Sequence, residues 1–245
     1  MPTPADGSEA TTPARTAGAE STPAPAPAPT PTFAEYPPRR INLTGPAGSG
    51  KSTLAQRLAA LLSLPHLELD SLFHGPGWVP RPGFAGDVEA WLRGHGEGWV
   101  VDGNYRKVRG LVWAPPAPDA DDALPGADTV VILDLPKYTV LTSLFGRTMR
   151  RVLYGETLWN GNTETWANVL STDPAQSVLA YCYTQFEEHR QRLVDAEREG
   201  RARGGVRFVR LRSREEVEGF VAELEAAAGV ANTGAGAGTT GDGPS

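Results

Sequence analysis

Gly45-Pro46-Ala47-Gly48-Ser49-Gly50-Lys51-Ser52, followed by Thr53, has the G-x-x-x-x-G-K-S pattern of a phosphate-binding loop. Its glycines let the backbone curl, so that successive N–H groups point at phosphate oxygens. Lys51 supplies a mobile positive charge, and the Ser52 hydroxyl can ligate Mg²⁺. A helix that starts at the loop directs the positive end of its dipole at the same anion. We therefore expect residues 45–53 to bind a nucleotide.

The residues on either side of the loop have the periodicity that such a loop requires. Residues 41–44, Ile-Asn-Leu-Thr, predict a short strand that leads into the loop. After the loop, Leu54, Leu58, Leu61 and Leu62 recur at the spacing of a helix face. The loop is thus predicted to lie between a strand and a helix.

The ends of the 245-residue chain differ in composition from its middle. Residues 1–38 consist mainly of Pro, Ala, Thr and Ser, and residues 229–245 mainly of Gly, Ala and Thr. Such segments bury too little apolar surface to offset the entropy of ordering, so both predict disordered tails. Residues 39–228 remain as one domain. Within it, the Pro-, Ala- and Asp-rich residues 114–126 predict an exposed loop.

Charge and cysteine content exclude several classes of protein. The net charge is −6 and no block of Lys and Arg is present, which disfavours sequence-independent binding of nucleic acid. The sequence shows no apolar run long enough to span a membrane and no secretory or transit signal. Cys182 is the only cysteine, so an intrachain disulfide is impossible, and we expect a buried, inert thiol in a cytoplasmic protein.

Further strands and helices are predicted to alternate along the domain. Apolar runs end at Asp70 and Asp102, and residues 129–133 form the clearest buried strand. Residues 206–211 predict the last strand. Helices are expected at 84–95, from Asp173 to about Glu199, after Ser213, and over a segment with one apolar face made of Leu141, Leu144, Phe145, Thr148, Met149 and Val152. This alternation predicts a parallel sheet whose carboxyl ends bring the loop and the two aspartates together.

Several motifs together resemble one branch of the P-loop kinases. They are residues 69–74 (LDSLFH), 75–78 (GPGW), 99–105 (WVVDGNY), 127–136 (ADTVVILDLP) and 158–162 (LWNGN). From about Arg40 to Leu224 the chain resembles the nucleoside-monophosphate-kinase-like branch, which includes adenylate and shikimate kinases. Within that branch it is similar to bacterial proteins labelled adenylate-kinase-related or DNA-topology-modulation-like.

The resemblance implies both a fold and an activity. The fold is a three-layer α/β structure with a five-stranded parallel sheet in the order 2-3-1-4-5 and helices on both faces. An acceptor-binding segment is implied at about residues 71–97, and a lid at about 154–166. The implied activity is a Mg²⁺-dependent kinase (a phosphotransferase) that moves the γ-phosphate of ATP to a small acceptor, such as a nucleoside monophosphate.

The resemblance also assigns roles to individual residues. Those implied in catalysis are Lys51, Asp70, Arg147 and Arg151. Those implied in binding the acceptor are Asp70, Trp78 and Arg106. Ser52 would ligate Mg²⁺ directly, and Asp102 would hold it through water.

Each of these residues also has a purely structural interpretation. Asp102 can cap the turn after its strand, Asp70 can be the N-cap of a segment starting at Ser71, and Trp78 can cover the core. Arg147 and Arg151 can belong to a solvated helix face. Thr163 stands where an arginine is expected, and lid arginines stabilise a transferring phosphoryl group. The alternative function is therefore a nucleotide-binding regulator with little turnover; only a family label suggests that it associates with DNA.

Overall fold

The computed structural model describes Phe33, residues 35–114, Leu124 and residues 126–235. Of the tail predicted over residues 1–38, residues 1–32 and 34 lie outside the described residues. Of the loop predicted over 114–126, residues 115–123 and 125 also lie outside them. The strands are β1 (Arg40–Thr44), β2 (His66–Glu68), β3 (Trp99–Asp102), β4 (Thr129–Leu133) and β5 (Arg207–Leu211). The helices are α1 (Lys51–Leu62), α2 (Leu69–Phe73), α3 (Phe84–Gly94), α4 (Arg106–Val112), α5 (Lys137–Tyr154), α6 (Trp166–Leu170), α7 (Val178–Arg203) and α8 (Arg214–Ala235).

The five strands form one sheet in the order β2-β3-β1-β4-β5, and every neighbouring pair is parallel. The predicted strand order and the α/β fold class are thus confirmed. Leu43 of β1 pairs with Asp102 of β3, and Asp102 in turn pairs with Glu68 of β2. This register places both acidic side chains at the carboxyl edge of the sheet, where β1 leads into the phosphate-binding loop.

Apolar side chains cover both faces of the sheet. On one face, Val130 and Ile132 pack in a core with residues of α3, α4 and α7. On the other, Val131 and Leu133 pack with residues of α1 and α8. Because side chains alternate along a strand, a strand buried on both faces must be apolar throughout. The uniform sequence of β4 meets this requirement.

Asn42 is a polar side chain inside the core, and both of its side-chain polar atoms are hydrogen-bonded. It lies in the middle of β1 with 3% of its surface exposed. Its Nδ2 donates to the Val101 carbonyl at 3.0 Å, and its Oδ1 accepts from the Trp113 indole N–H at 2.7 Å. The pair of bonds fixes Trp113, which follows α4, against the sheet and compensates the desolvation of the amide.

Three local expectations were wrong. Asp70 does not end a strand: β2 stops at Glu68, and Asp70 lies in the first turn of α2, which has Glu68 rather than Asp70 as its N-cap. The helix expected from Asp173 begins at Val178, because Ser177 caps it while Asp173 organises the preceding turn. Phe145, placed on the buried face of α5, is 53% exposed.

Some described residues within the two predicted tails take part in the fold. Phe33 is buried, with its ring edge-on to Phe220 of α8 at 5.4 Å and under the Arg207 guanidinium at 4.6 Å. The last helix continues to Ala235, past the expected boundary at residue 229. Among the described residues, no helix is both long and apolar enough to cross a membrane.

Replacing Phe33 by Ala should destabilise the domain, although the residue lies in a segment predicted from composition to be disordered. Loss of a buried phenylalanine costs about 3 kcal/mol of unfolding free energy. Urea denaturation of the full chain measures this change. Tyr36→Ala is the matched control, since Tyr36 is 72% exposed, and it should change stability by less than about 0.5 kcal/mol. Equal effects of the two substitutions would contradict the packing described for Phe33.

Candidate nucleotide-binding site

The phosphate-binding loop connects β1 to α1 through glycines with left-handed backbone angles. Gly48 has φ +84° and Gly50, the N-cap of α1, has φ +94°. A Cβ atom on Gly48 would lie 2.6 Å from Leu144 Cβ and 2.7 Å from the Val140 carbonyl oxygen, both in α5. The loop therefore depends on glycine here twice, for its backbone angle and for its close approach to α5.

Lys51, the first residue of α1, has its ammonium within the loop. Its Nζ donates to the Pro46 carbonyl at 2.9 Å. Burial lowers the pKa of Lys51, while the charges of Asp70 and Asp102 oppose this shift. A triphosphate in the loop would supply the negative charge that favours the ammonium form.

Ser52 and Asp102 form a pair of oxygen ligands at the edge of the sheet. The Ser52 hydroxyl donates to Asp102 Oδ2 at 2.5 Å, and His66 Nε2 lies 3.1 Å from Asp102 Oδ1. Asp102 is 4% exposed, so these two contacts fix its orientation. Hydroxyl and carboxylate oxygens suit Mg²⁺, which keeps several waters and takes few protein ligands. The two residues thus fit the predicted metal role.

A cleft of about 790 Å³ opens beside the loop. Residues 47–53 line it, and of the other predicted site residues Asp70, Asp102, Arg147 and Arg151 do so as well. Arg147 is largely buried, and its Nε has no hydrogen-bond partner among the described residues. Burial, followed by the charge of Arg151, lowers the pKa of Arg147. Such a guanidinium is well placed to bind an anion that enters the cleft.

Two predicted acceptor residues do not line the cleft. Arg106 begins α4 and is exposed. The backbone N–H of Trp78 donates to Asn162 Oδ1 at 3.0 Å, and its ring packs edge-on against His74 at 5.1 Å. Trp78 therefore joins two segments of the protein, and its backbone lies in the left-handed region at φ 63°.

The predicted lid, residues 154–166, lies against α2 and the 3₁₀ turn Pro76–Trp78. Asn162 is 3% exposed, and its Nδ2 donates to the carbonyls of Gly75 at 2.9 Å and of Trp159 at 2.8 Å. The Asn160 amide donates to the carbonyl of His74. Asparagine side chains thus dock the lid on the segment expected to bind the acceptor.

Sequence reasoning missed three residues that hold the site together. Glu68 lines the cleft and accepts from the Trp159 indole N–H at 2.7 Å. Tyr105 donates its hydroxyl to Asp70 Oδ1, and burial together with the Asp70 charge raises its pKa, so the hydroxyl remains a donor. His66 contacts Asp102. Glu68 and His66 could have been found from their positions in β2, because that strand ends at Glu68 and not at Asp70.

His189 of α7 is a neutral histidine packed behind the site. Asn104 donates its side-chain N–H to His189 Nε2, and Arg109 donates to Asn104 Oδ1 at 3.0 Å. Burial first, and then the charge of Lys51, lower the pKa of His189 to about 4. The chain therefore holds this imidazole in its unprotonated form at neutral pH.

Comparisons with known proteins find kinases of small molecules. No family model matches the chain. Over 60 residues it is 40% identical to cytidylate kinase of Nitratidesulfovibrio vulgaris strain Hildenborough and 38% identical to that of strain DP4. Each match covers 24% of this chain and 26% of the relative, so the chain spans about a quarter of the length of these curated relatives.

Two solved structures match over most of the chain. A gluconokinase from Sinorhizobium meliloti 1021 is 20% identical, with a TM-score of 0.37 and coverage of 80% of this chain and 95% of that one. A shikimate kinase from Bacteroides thetaiotaomicron is 15% identical, with a TM-score of 0.39 and coverage of 80% and 99%. Both overlays are loose, so the fold assignment rests on the sheet order and the loop.

The sheet order and the Gly45–Ser52 loop together define this chain as a P-loop α/β protein. The local match to cytidylate kinase agrees with the resemblance to nucleoside-monophosphate-kinase-like proteins that the motifs indicated.

Gly48→Ala should weaken ATP binding at least about tenfold, because the added Cβ forces the loop away from α5 or into a strained angle. Calorimetric titration with Mg-ATP measures the affinity. Gly110→Ala is the control: Gly110 lies in α4 with open space around it, so this variant should bind ATP like the wild type and fold at least as stably. Wild-type affinity of Gly48→Ala would contradict the predicted role of the loop.

Acidification should destabilise the protein through His189. Because its folded pKa of about 4 lies below the unfolded value of about 6.5, the stability it contributes is present above pH 6.5 and is lost as the pH falls towards 4. Between pH 6.5 and 4.5 this loss amounts to about 2 kcal/mol. Urea denaturation across this range should show a shallower pH dependence for His189→Gln. Identical slopes for the two proteins would disprove the shift.

Proposed function

We propose that this protein is a Mg²⁺-dependent phosphotransferase that moves the γ-phosphate of ATP to a small acceptor. The observation that carries the proposal is the convergence of Lys51, Asp70 and Arg147 on one cleft beside the phosphate-binding loop. A cation for the phosphates, a carboxylate for the acceptor and a guanidinium for the transferring group are the parts that phosphoryl transfer requires.

Each part has a distinct task in this proposal. The loop amides and Lys51 hold the β- and γ-phosphates, and Arg147 compensates the charge that develops on the transferring group. Asp70, oriented by the Tyr105 hydroxyl, accepts the proton of the attacking acceptor. A bound Mg²⁺, with Ser52 as ligand and Asp102 behind a water, would neutralise part of the phosphate charge.

The lid supplies the exclusion of water that transfer to an acceptor needs. Trp159 lines the cleft and is held by Glu68, while Asn162 fixes the same segment to the Gly75 carbonyl. Water that reached the γ-phosphate would compete with the acceptor as a nucleophile. A lid docked over the acceptor segment reduces that competing hydrolysis.

A nucleotide-binding regulator with little turnover is the second candidate. It is favoured by the state of the arginines near the lid. Arg151 is paired with Glu164 at 3.0 Å, with side-chain exposures of 14% and 11%, and Arg150 is paired with Glu156 at 3.0 Å. Arg147 is then the arginine of this row that forms no ion pair with a described residue, so cationic support for the transferring group is sparse.

Asp70→Asn should separate the two candidates. If Asp70 accepts the proton, the variant binds Mg-ATP with an affinity within about threefold of wild type but loses at least about a hundredfold in acceptor-dependent ADP formation. Asp195→Asn is the matched control, because Asp195 pairs with Arg198 on α7 outside the cleft lining and should retain full activity. ADP formation with a broad panel of nucleotides, sugars and hydroxy acids is the assay. Tight ATP binding without acceptor-dependent ADP formation would favour the regulator.

A further inference from the structure

Two carboxylates that form no ion pair with a described residue line the cleft where β2 leads into α2. Glu68 accepts from the Trp159 indole N–H, and Asp70 accepts from the Tyr105 hydroxyl. Both line the cleft, and neither forms an ion pair with any described residue. Each carboxylate is held by one neutral donor and keeps its other lone pairs for a ligand.

The cations of the cleft are committed elsewhere. Lys51 bonds to Pro46 inside the loop, where the triphosphate is proposed to bind, and Arg151 is neutralised by Glu164. Arg147 is close enough to Asp70 and Arg151 for their charges to affect its pKa. In the proposed function its charge serves the transferring phosphoryl group. Arg57 and Arg150 are paired with Glu218 and Glu156. Arg214 donates to Ser143 Oγ and follows β5, at the edge of the sheet opposite β2. No further arginine or lysine of the described residues lines the cleft, so none is left beside Glu68 and Asp70 for a second anion.

The arginines of residues 71–97 and of α4 supply no positive charge to the cleft lining either. Arg81 pairs with Asp87 at 2.8 Å on the surface, Arg106 is exposed, and Arg109 lies over the Trp113 ring while it donates to Asn104. Between residues 71 and 114, the described chain places no arginine or lysine in the cleft lining. An acceptor phosphate or carboxylate would meet Glu68 and Asp70 without a compensating charge, which disfavours its binding.

We propose that the acceptor is an uncharged or amine-bearing hydroxyl compound, such as a polyol or amino sugar, rather than a phosphate or carboxylate. The inference rests on the proposed phosphotransferase function. The acceptor hydroxyl oxygen forms the new bond to the γ-phosphorus while the bond from that phosphorus to the β,γ-bridging oxygen breaks. The hydroxyl proton passes to Asp70, and ADP leaves with the bonding electron pair. Glu68 attracts an amine or accepts from a second hydroxyl.

Binding to the full chain, saturated with Mg²⁺ and a non-hydrolysable ATP analogue, tests the inference without requiring turnover. Calorimetry compares matched pairs: glucose and gluconate, glucosamine and glucosamine 6-phosphate, cytidine and cytidine monophosphate. At least one uncharged or amino compound should bind at least about tenfold more tightly than its anionic partner. Equal or tighter binding of the anionic partners overturns the inference, and so does failure of every uncharged and amino compound of the panel to bind.

A charge-neutralising variant connects the preference to Glu68. In Glu68→Gln, the ratio between the affinity for an uncharged or amino compound and that for its anionic partner should fall about fivefold. The reason is that one of the two carboxylates that repel the anion is removed. Glu188→Gln, an exposed site paired with Arg192 on α7, removes the same charge away from the cleft and should leave the preference unchanged. An unchanged affinity ratio in Glu68→Gln overturns the role proposed for Glu68. Phosphorus NMR of mixtures with ATP then tests the reaction itself: selective binding without a phosphorylated product leaves the ligand class standing and refutes the phosphotransferase.

Discussion

The site depends on the parallel register of β1, β2 and β3. Pairing of Leu43 with Asp102, and of Asp102 with Glu68, puts one carboxylate at the end of β3, which lies next to β1, and another at the end of β2, on the outer side of β3. A shift by one residue in either pairing would turn these side chains to the opposite face. The apolar residues of the three strands fix the register because they are buried on both faces of the sheet. Packing of the core therefore sets the positions of the Asp102 and Glu68 carboxylates.

Several charged side chains lie close together at the carboxyl edge of the sheet. Lys51 lies among Asp70, Asp102 and Arg147, and burial alone would favour its neutral form. The two carboxylates raise its proton affinity again, and Asp102 is itself held by Ser52 and His66. The cluster is thus close to electrically balanced before a nucleotide binds.

The fold was predictable from the sequence, and the acceptor side of the site only partly so. Uniformly apolar β4 and the glycine pattern of the loop are local signals, so a buried strand and the position of the loop followed from them. The strand order followed from the resemblance to P-loop kinases. The role of Phe33 depends on a contact with Phe220 that composition does not encode. Asp70 was misplaced because an apolar run does not show where a strand becomes a helix. Arg106 was expected near the acceptor from motif spacing, yet the direction of α4 leaves it exposed.

The contacts of the predicted lid, residues 154–166, indicate what its opening would have to break in the proposed function. Its docking relies on amide side chains that donate to backbone carbonyls and not on a large apolar contact. Hydrogen bonds of this kind contribute about 1 kcal/mol each, because water replaces them when the lid opens. Asn162, buried at 3% exposure, is the exception, since its amide must regain solvent before the segment can move. In the proposed function, opening for substrate exchange would therefore centre on Asn162, and closing would return the Trp159 indole to Glu68.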